Sequence, residues 1–191
     1  MTLLARQVFT FDAYVELEAR STVKHEFLDG QVWAMAGGSP EHAAIAGAVI
    51  RLLGQALVGR RCRVFTSDLR VRVAATGLGT YPDAAVICGA VEADPDDRSG
   101  HTVVNPTVLV EVLSPTTEAY DRGEKLAHYK RVPALREVAL VAHDERRVDV
   151  WRRVGDHWTM VSFRAGDQVM LESLGCALAV DDIYFDPLAA P

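Results

Sequence analysis

PTVLVEVLSP, residues 106–115, is an apolar run that carries one carboxylate, Glu111, at its centre. If the run is a strand, Val108, Val110 and Val112 share one face, and Leu109, Glu111 and Leu113 share the other. Glu111 is thereby flanked by leucines on its own face, where a lone ionised carboxylate is costly to desolvate and needs a cation, hydrogen-bond donors or a metal. A second segment, YPDAAVIC (81–88), repeats the puzzle: Asp83 stands directly before another short apolar strand. A suitable register between neighbouring strands brings Asp83 and Glu111 to one end of a sheet, where two acids repel unless a cation sits between them. Few, hard oxygen ligands with room for water and phosphate describe a Mg²⁺ site. The competing reading is structural: Asp83 caps a turn, and Glu111 pairs with an arginine such as Arg70 or Arg72.

The segment after Glu111 bears on that choice. DRGEKLAHYKRV (121–132) reads as a helix ended by Pro133, with Asp121 and Glu124 spaced as a capping box. Asp121, Lys125 and Tyr129 recur every four residues and form one stripe. Lys125 then follows the Glu111 strand by a short connection and can orient or deprotonate a water and stabilise charge on a phosphoryl group. Alternatively it is a surface lysine paired with Asp121.

Further out, TFDAYVELEARS (10–21) has the pattern of a short amphipathic helix, and Asp29-Gly30 within KHEFLDGQVWAMA (24–36) signals a hairpin. SPEHAAIAGAVIRLLGQALVG (39–59) reads as a helix with a Ser39 cap, Pro40 near its first turn and Gly59 at its close. CRVFTSDLRVRVAA alternates like a strand broken near Ser67-Asp68. Residues 89–106 read as a polar, acidic loop, and the stretch from Arg136 supplies two or three strands with tight turns. The order predicts an α/β fold, a mixed sheet flanked by helices with an N-terminal hairpin, in one domain over 1–191. Its core spans about 24–142, followed by C-terminal strands and an acidic tail over 143–191.

Hydrophobic residues at 49% and charged residues at 24% place the chain among soluble globular proteins. No apolar stretch approaches the roughly 18 residues of a membrane span. The three cysteines, Cys62, Cys88 and Cys176, lack CxxC spacing and read as reduced thiols in a cytoplasmic protein. A net charge of −6 argues against a polyanionic partner, but it is unevenly spread. Six arginines (51, 60, 61, 63, 70, 72) face only Asp68 between residues 51 and 72, whereas five acids and no Lys or Arg follow from Asp167. Arg60, Arg61, Arg63, Arg70 and Arg72 are therefore candidates for a DNA-binding face. A solvated mixed surface is the alternative.

KHEFLDGQV, SPEHAAIAGAVIRLL, YPDAAVIC and the long run from Pro106 to Val141 resemble the Uma-type family of restriction endonucleases, within the PD-(D/E)XK nuclease superfamily. The resemblance implies a restriction-endonuclease-like α/β core, a Mg²⁺-dependent site (Mn²⁺ being an alternative) and hydrolysis of DNA phosphodiester bonds. It maps the PD dipeptide onto Pro82-Asp83 and the second acid onto Glu111. The superfamily lysine would fall at Leu113, so either the site is inactive or another residue, Lys125, replaces it. A further acid of the site would be Glu26, which matches the family's acidic position in the hairpin, or Glu41, which also suits a helix N-terminus.

The six histidines show no zinc-binding spacing, and AGGSP (36–40) lacks the GK[ST] of a phosphate loop. His42 is placed either to approach the site or to cap the start of its helix. Trp33, Trp151 and Trp158 lie in β-like segments, where packing is the default role. Two functions remain: a Mg²⁺-dependent DNA endonuclease, and a nuclease fold used without cleavage to bind DNA or protein. A homodimer suits cleavage of two strands, with the strands after residue 137 offering an edge.

Overall fold

The computed structural model describes residues 8–35 and 37–188. Along the chain come α1 (Phe11–Glu18), β1 (His25–Leu28), β2 (Gln31–Ala34), α2 (Pro40–Ala56), β3 (Cys62–Thr66), β4 (Arg70–Val73), β5 (Leu78–Thr80), β6 (Ala84–Cys88), β7 (Thr102–Val103) and β8 (Val108–Val112). Then follow α3 (Glu118–Tyr120), a π turn (Asp121–Lys125), α4 (Leu126–Tyr129), β9 (Glu137–Val141), β10 (Arg147–Val154), β11 (His157–Arg164), β12 (Gln168–Leu171), a 3₁₀ turn (Glu172–Leu174), β13 (Cys176–Ala179) and α5 (Val180–Ile183).

Local chemistry sets the boundaries. Thr10 Oγ1 accepts the Ala13 N–H, and Ser39 Oγ accepts the His42 N–H with Pro40 opening the helix, so both long helices start on capped ends. Asp29 and Gly30 take φ of 48° and 75°, the left-handed pair that a two-residue hairpin turn needs, and glycine meets that demand without a Cβ.

Six strands form the main sheet in the order β11-β10-β9-β8-β6-β3, with only β8 and β9 parallel. The alternation in β8 divides the core. Val108, Val110 and Val112 pack with Ile45, Val49 and Leu53 of α2 on one face. Leu109 and Leu113 pack on the other with Leu126, Tyr129, Val132 and Leu135. Each such fully buried side chain contributes roughly 1.5–3 kcal/mol. A second sheet, β2-β1-β5-β4-β7, joins this latter face through Leu28, Val71, Val73 and Leu78. A small β12-β13 ribbon, the 3₁₀ turn and α5 complete the α2 side. Glu137, buried to 1% exposure, anchors them by accepting the N–H groups of Glu172 (3.1 Å) and Ser173 (3.0 Å) while pairing with Arg152 at 2.9 Å. The C-terminal acids thus belong to a folded segment rather than a loose tail: Asp167 accepts from Arg164 N and Asp181 from Gly166 N.

Four features differ from what the sequence predicts, one of them a strand in a stretch with no element assigned. The helix expected to open at Asp121 begins at Glu118, so Asp121 forms no capping box. It sits inside a π turn, its N–H donating to Thr117 O at 2.8 Å and its side chain buried. Leu78–Thr80, with a glycine at its centre, is a strand between β1 and β4. A Cβ on Gly79 would meet the Tyr14 and Phe11 rings at 3.1 and 3.2 Å, so the aromatic cluster seats on the bare backbone. Within the acidic loop, Thr102–Val103 pairs with β4 as a two-residue parallel strand.

The fourth concerns the cysteines, expected to be reduced. Cys62 and Cys88 are register partners on β3 and β6, with Cα atoms 4.0 Å apart, and form a disulfide; Cys176 is free and buried. Antiparallel pairing has brought together two sulfurs far apart in sequence, and with it goes the argument from thiols to a cytoplasmic setting. Among the described residues, no helix is long and apolar enough to cross a membrane.

Candidate active site

One step beyond the last β6–β8 ladder pair, Ala84 with Val110, the antiparallel register sets Asp83 opposite Glu111. Directly opposed residues project from the same face. The face is the one carrying Leu109 and Leu113, and it opens here into a cleft of about 510 Å³ at the seam between the two large sheets. β1 supplies Glu26 to this cleft, the β5–β6 link Asp83, β8 Glu111, the π turn Asp121 and Lys125, and the start of α2 His42.

Lys125 is the hub. Its Nζ lies 2.9 Å from Glu111 Oε1, 3.1 Å from Glu26 Oε1 and 3.5 Å from Asp121 Oδ1. Tyr129 Oη donates to Glu111, and Thr80 Oγ1 donates to Glu26. Burial would drive Lys125 toward the neutral amine, yet Glu111, Tyr129, Glu26 and Asp121 overcome it, and the ammonium is held well above its usual range. Glu111 is raised as well, and for an acid that favours the neutral form. Burial pushes its carboxyl up to about 8, the Asp83 and Asp121 carboxylates adding to the effect that Lys125 and Tyr129 oppose. Asp121 is also raised, first by burial.

Asp83 is fixed from two sides. Its Oδ2 accepts the Val112 N–H at 2.7 Å, which locks the acid to the neighbouring strand, and lies 3.3 Å from His42 Nε2. Donation from the imidazole to the Asp83 carboxylate raises the His42 pKa against the opposing effect of burial. Gly38 makes this approach possible: a Cβ there would stand 2.6 Å from His42 Nδ1.

Among the described residues, neither acid is clasped by an arginine. Arg70, buried to 3% exposure, bonds Asp97 at 2.9 Å, and Arg72 pairs with Asp94 and Asp96 at 3.0 and 2.8 Å. These two arginines therefore leave the expected DNA-binding face, because β4 runs beside the acidic loop and the loop's aspartates neutralise them. Arg60 is turned to the carbonyls of Leu174 and Gly175, while Arg61 and Arg63 remain exposed. Glu41 is exposed on the first turn of α2 and does not line the cleft, whereas Glu26 does. Nothing in the sequence marked Thr80, which the position of Glu26 recruits, or Tyr120, which lines the cleft.

Among the described residues, no three His, Cys, Asp or Glu side chains stand as a ready-made metal cluster. The donor chemistry nevertheless suits a hard cation. Four carboxylates (Glu26, Asp83, Glu111, Asp121) line the cleft against one ammonium, and Asp83 and Glu111 present oxygens on one face.

A family model described as "Putative restriction endonuclease", Uma2, matches residues 11–181. The uncharacterized protein slr1290 of Synechocystis sp. (strain ATCC 27184 / PCC 6803 / Kazusa) is 38% identical over 175 residues, covering 91% of this chain and 90% of its own. The uncharacterized protein sll1609 of the same organism is 30% identical over 172 residues, covering 90% and 96%. The crystal structure of a putative nuclease belonging to DUF820 from Anabaena variabilis ATCC 29413 superposes with a TM-score of 0.69 at 19% identity, covering 89% of this chain and 96% of that one, a likeness of fold.

Proposed function

The chain belongs to the Uma2 family, and from that premise we propose that the cleft hydrolyses DNA phosphodiester bonds with a divalent cation, Mg²⁺ or Mn²⁺. The observation that carries this reading is the opposition of Asp83 and Glu111 beside the Lys125 ammonium. A polyanion does not enter a cleft holding four carboxylates and one ammonium unless cations accompany it. Asp83 and Glu111 would hold the metal, which supplies Lewis-acid polarisation of a phosphoryl oxygen.

The remaining residues act through position and charge. Lys125, locked in its protonated state by its neighbours, stabilises negative charge developing on the phosphoryl group rather than serving as a base. Tyr129 and Lys125 fix the Glu111 carboxylate, and the Val112 N–H and His42 fix Asp83. Glu26 and Asp121 hold Lys125 in place. Arg61 and Arg63 are left to meet phosphates outside the cleft. A second copy paired along the free edge of β11 would supply the second cut of a duplex.

The test is incubation of the purified chain with duplex and single-stranded DNA, with Mg²⁺, Mn²⁺ or chelator, for wild type, Asp83→Asn and Glu111→Gln. Metal-dependent cleavage lost in both variants is the expected result, and cleavage that survives both defeats the assignment. A second reading, a DNA- or protein-binding module without turnover, is favoured by one observation: position 113 is Leu113, buried to 0% exposure where the superfamily lysine would stand. Salt-sensitive DNA binding with no cleavage under any metal would select it.

A further inference from the structure

Trp33 is the one tryptophan of three on which no cation is stacked among the described residues. Trp151 lies under Lys130 Nζ at 3.4 Å, and Trp158 lies 4.7 Å from Arg153 Cζ, so both rings are sealed by the chain's own cations. Trp33 is 45% exposed, with neither a ring nor a cation stacked on it among the described residues. Its orientation follows from the hairpin. Val32 opposes Phe27 and packs with the Phe11–Tyr14–Phe27 cluster, whereas Trp33 opposes Glu26 on the other face. Opposed residues have Cβ atoms about 4.5–5.5 Å apart, and Glu26 is itself 3.1 Å from Lys125. Trp33 on β2 and Met35 just past its end thereby form a wall of the cleft.

A large, flat, uncovered ring beside a phosphoryl site has the shape and chemistry to receive a nucleobase, since every base offers a π face regardless of sequence. We infer that Trp33 is a stacking platform for an unpaired base adjoining the scissile phosphate, so that the cleft takes nucleic acid with at least one base out of its duplex stack. The inference rests on the phosphodiester reading of the cleft and names the form of substrate that reading leaves open.

Equilibrium binding separates the two. A labelled single strand, a duplex with a single-stranded overhang and a fully paired duplex are titrated against wild type, Trp33→Ala and Trp33→Phe, with a divalent cation such as Ca²⁺ present and the strands verified intact afterwards. Tryptophan emission is recorded throughout. Loss of one stacked base weakens binding by about 5- to 150-fold, so Trp33→Ala is expected to lose that much on the single strand and the overhang and far less on the paired duplex. Trp33→Phe is expected to recover most of the affinity while abolishing the emission change seen with wild type. Unchanged affinity in Trp33→Ala, or an emission change that persists in Trp33→Phe, overturns the stacking role and leaves the nuclease reading intact. Should wild type bind none of the three, both readings fall together. Concentration-dependent dimerisation lost in Trp33→Ala, with oligonucleotide affinity unchanged, would instead assign the ring to an interface with a second copy.

Discussion

Lys125 Nζ stands 2.9 Å from Glu111 Oε1, although one residue belongs to a π turn and the other to a central strand. The turn brings the ammonium to the carboxylate, while Leu113, two residues after Glu111, fills the core. A helix-borne cation compensates a strand-borne acid.

Replacing Lys125 with methionine leaves Glu26, Glu111 and Asp121 facing one another without a counter-charge in surroundings where the side chains are 13%, 5% and 5% exposed. Breaking such a buried pair costs about 3–5 kcal/mol. Chemical denaturation should show a loss of this size, with cleavage abolished. Stability near that of wild type would mean that water already reaches the cluster.

Glu111→Gln should behave in the opposite way, abolishing cleavage while leaving the fold as stable as before or more so. The glutamine oxygen still accepts from Lys125 and Tyr129, and a carboxylate that burial disfavours is gone. The pH dependence gives the sign. Glu111 rises from 4.5 to about 8 on folding, so the native state retains a proton that the unfolded chain releases. The stability tied to this group is fully present below the unfolded value and is lost as pH climbs through the folded one. Melting temperatures measured across that window should fall for wild type and stay flatter for Glu111→Gln. Saturating Mg²⁺ should restore the wild type selectively at the alkaline end.

Gly38→Ala forces a Cβ to within 2.6 Å of His42 Nδ1 and must move the imidazole off Asp83. A small displacement of a positioning group lowers a rate by about 10- to 100-fold. Cleavage assays should give a similar loss for His42→Ala and no further loss in the double variant, since both break one link. Additive losses would show that the two residues act separately.

The arginines divide by what already neutralises them. Arg70→Met should cost about 3–5 kcal/mol of stability by leaving Asp97 buried without its cation. It should not alter the salt dependence of DNA binding. Arg61→Ala and Arg63→Ala should do the reverse, each lowering the slope of log K against log salt by about 1 while the fold is unaffected.

Alternation and punctuation made much of this fold legible. The Val/Leu alternation of β8 assigned two core faces, Asp29-Gly30 marked the hairpin, and Ser39-Pro40 marked the start of α2. What escaped depends on partners distant in sequence. The Cys62–Cys88 bond requires the β3–β6 register, which no spacing encodes. Arg70 and Arg72 read as free cations because composition counts charges without placing them, and only the β4–β7 pairing brings them beside Asp97 and Asp94. The π turn escaped because its i→i+5 geometry has no residue signature of its own. The stripe of Asp121, Lys125 and Tyr129 survived it, so the candidate site was more legible than the helix that carries it.

Glu26 reaches the cluster from one sheet, Glu111 from the other, and Lys125 joins them. The groups suited to chemistry are therefore also rivets between two layers of the fold. A descendant without catalysis could not discard Lys125 alone, because its departure strands the carboxylates it holds. It would have to exchange the lysine and its acids together for well-packed apolar residues, which gives these charges a structural reason to persist whatever the cleft does.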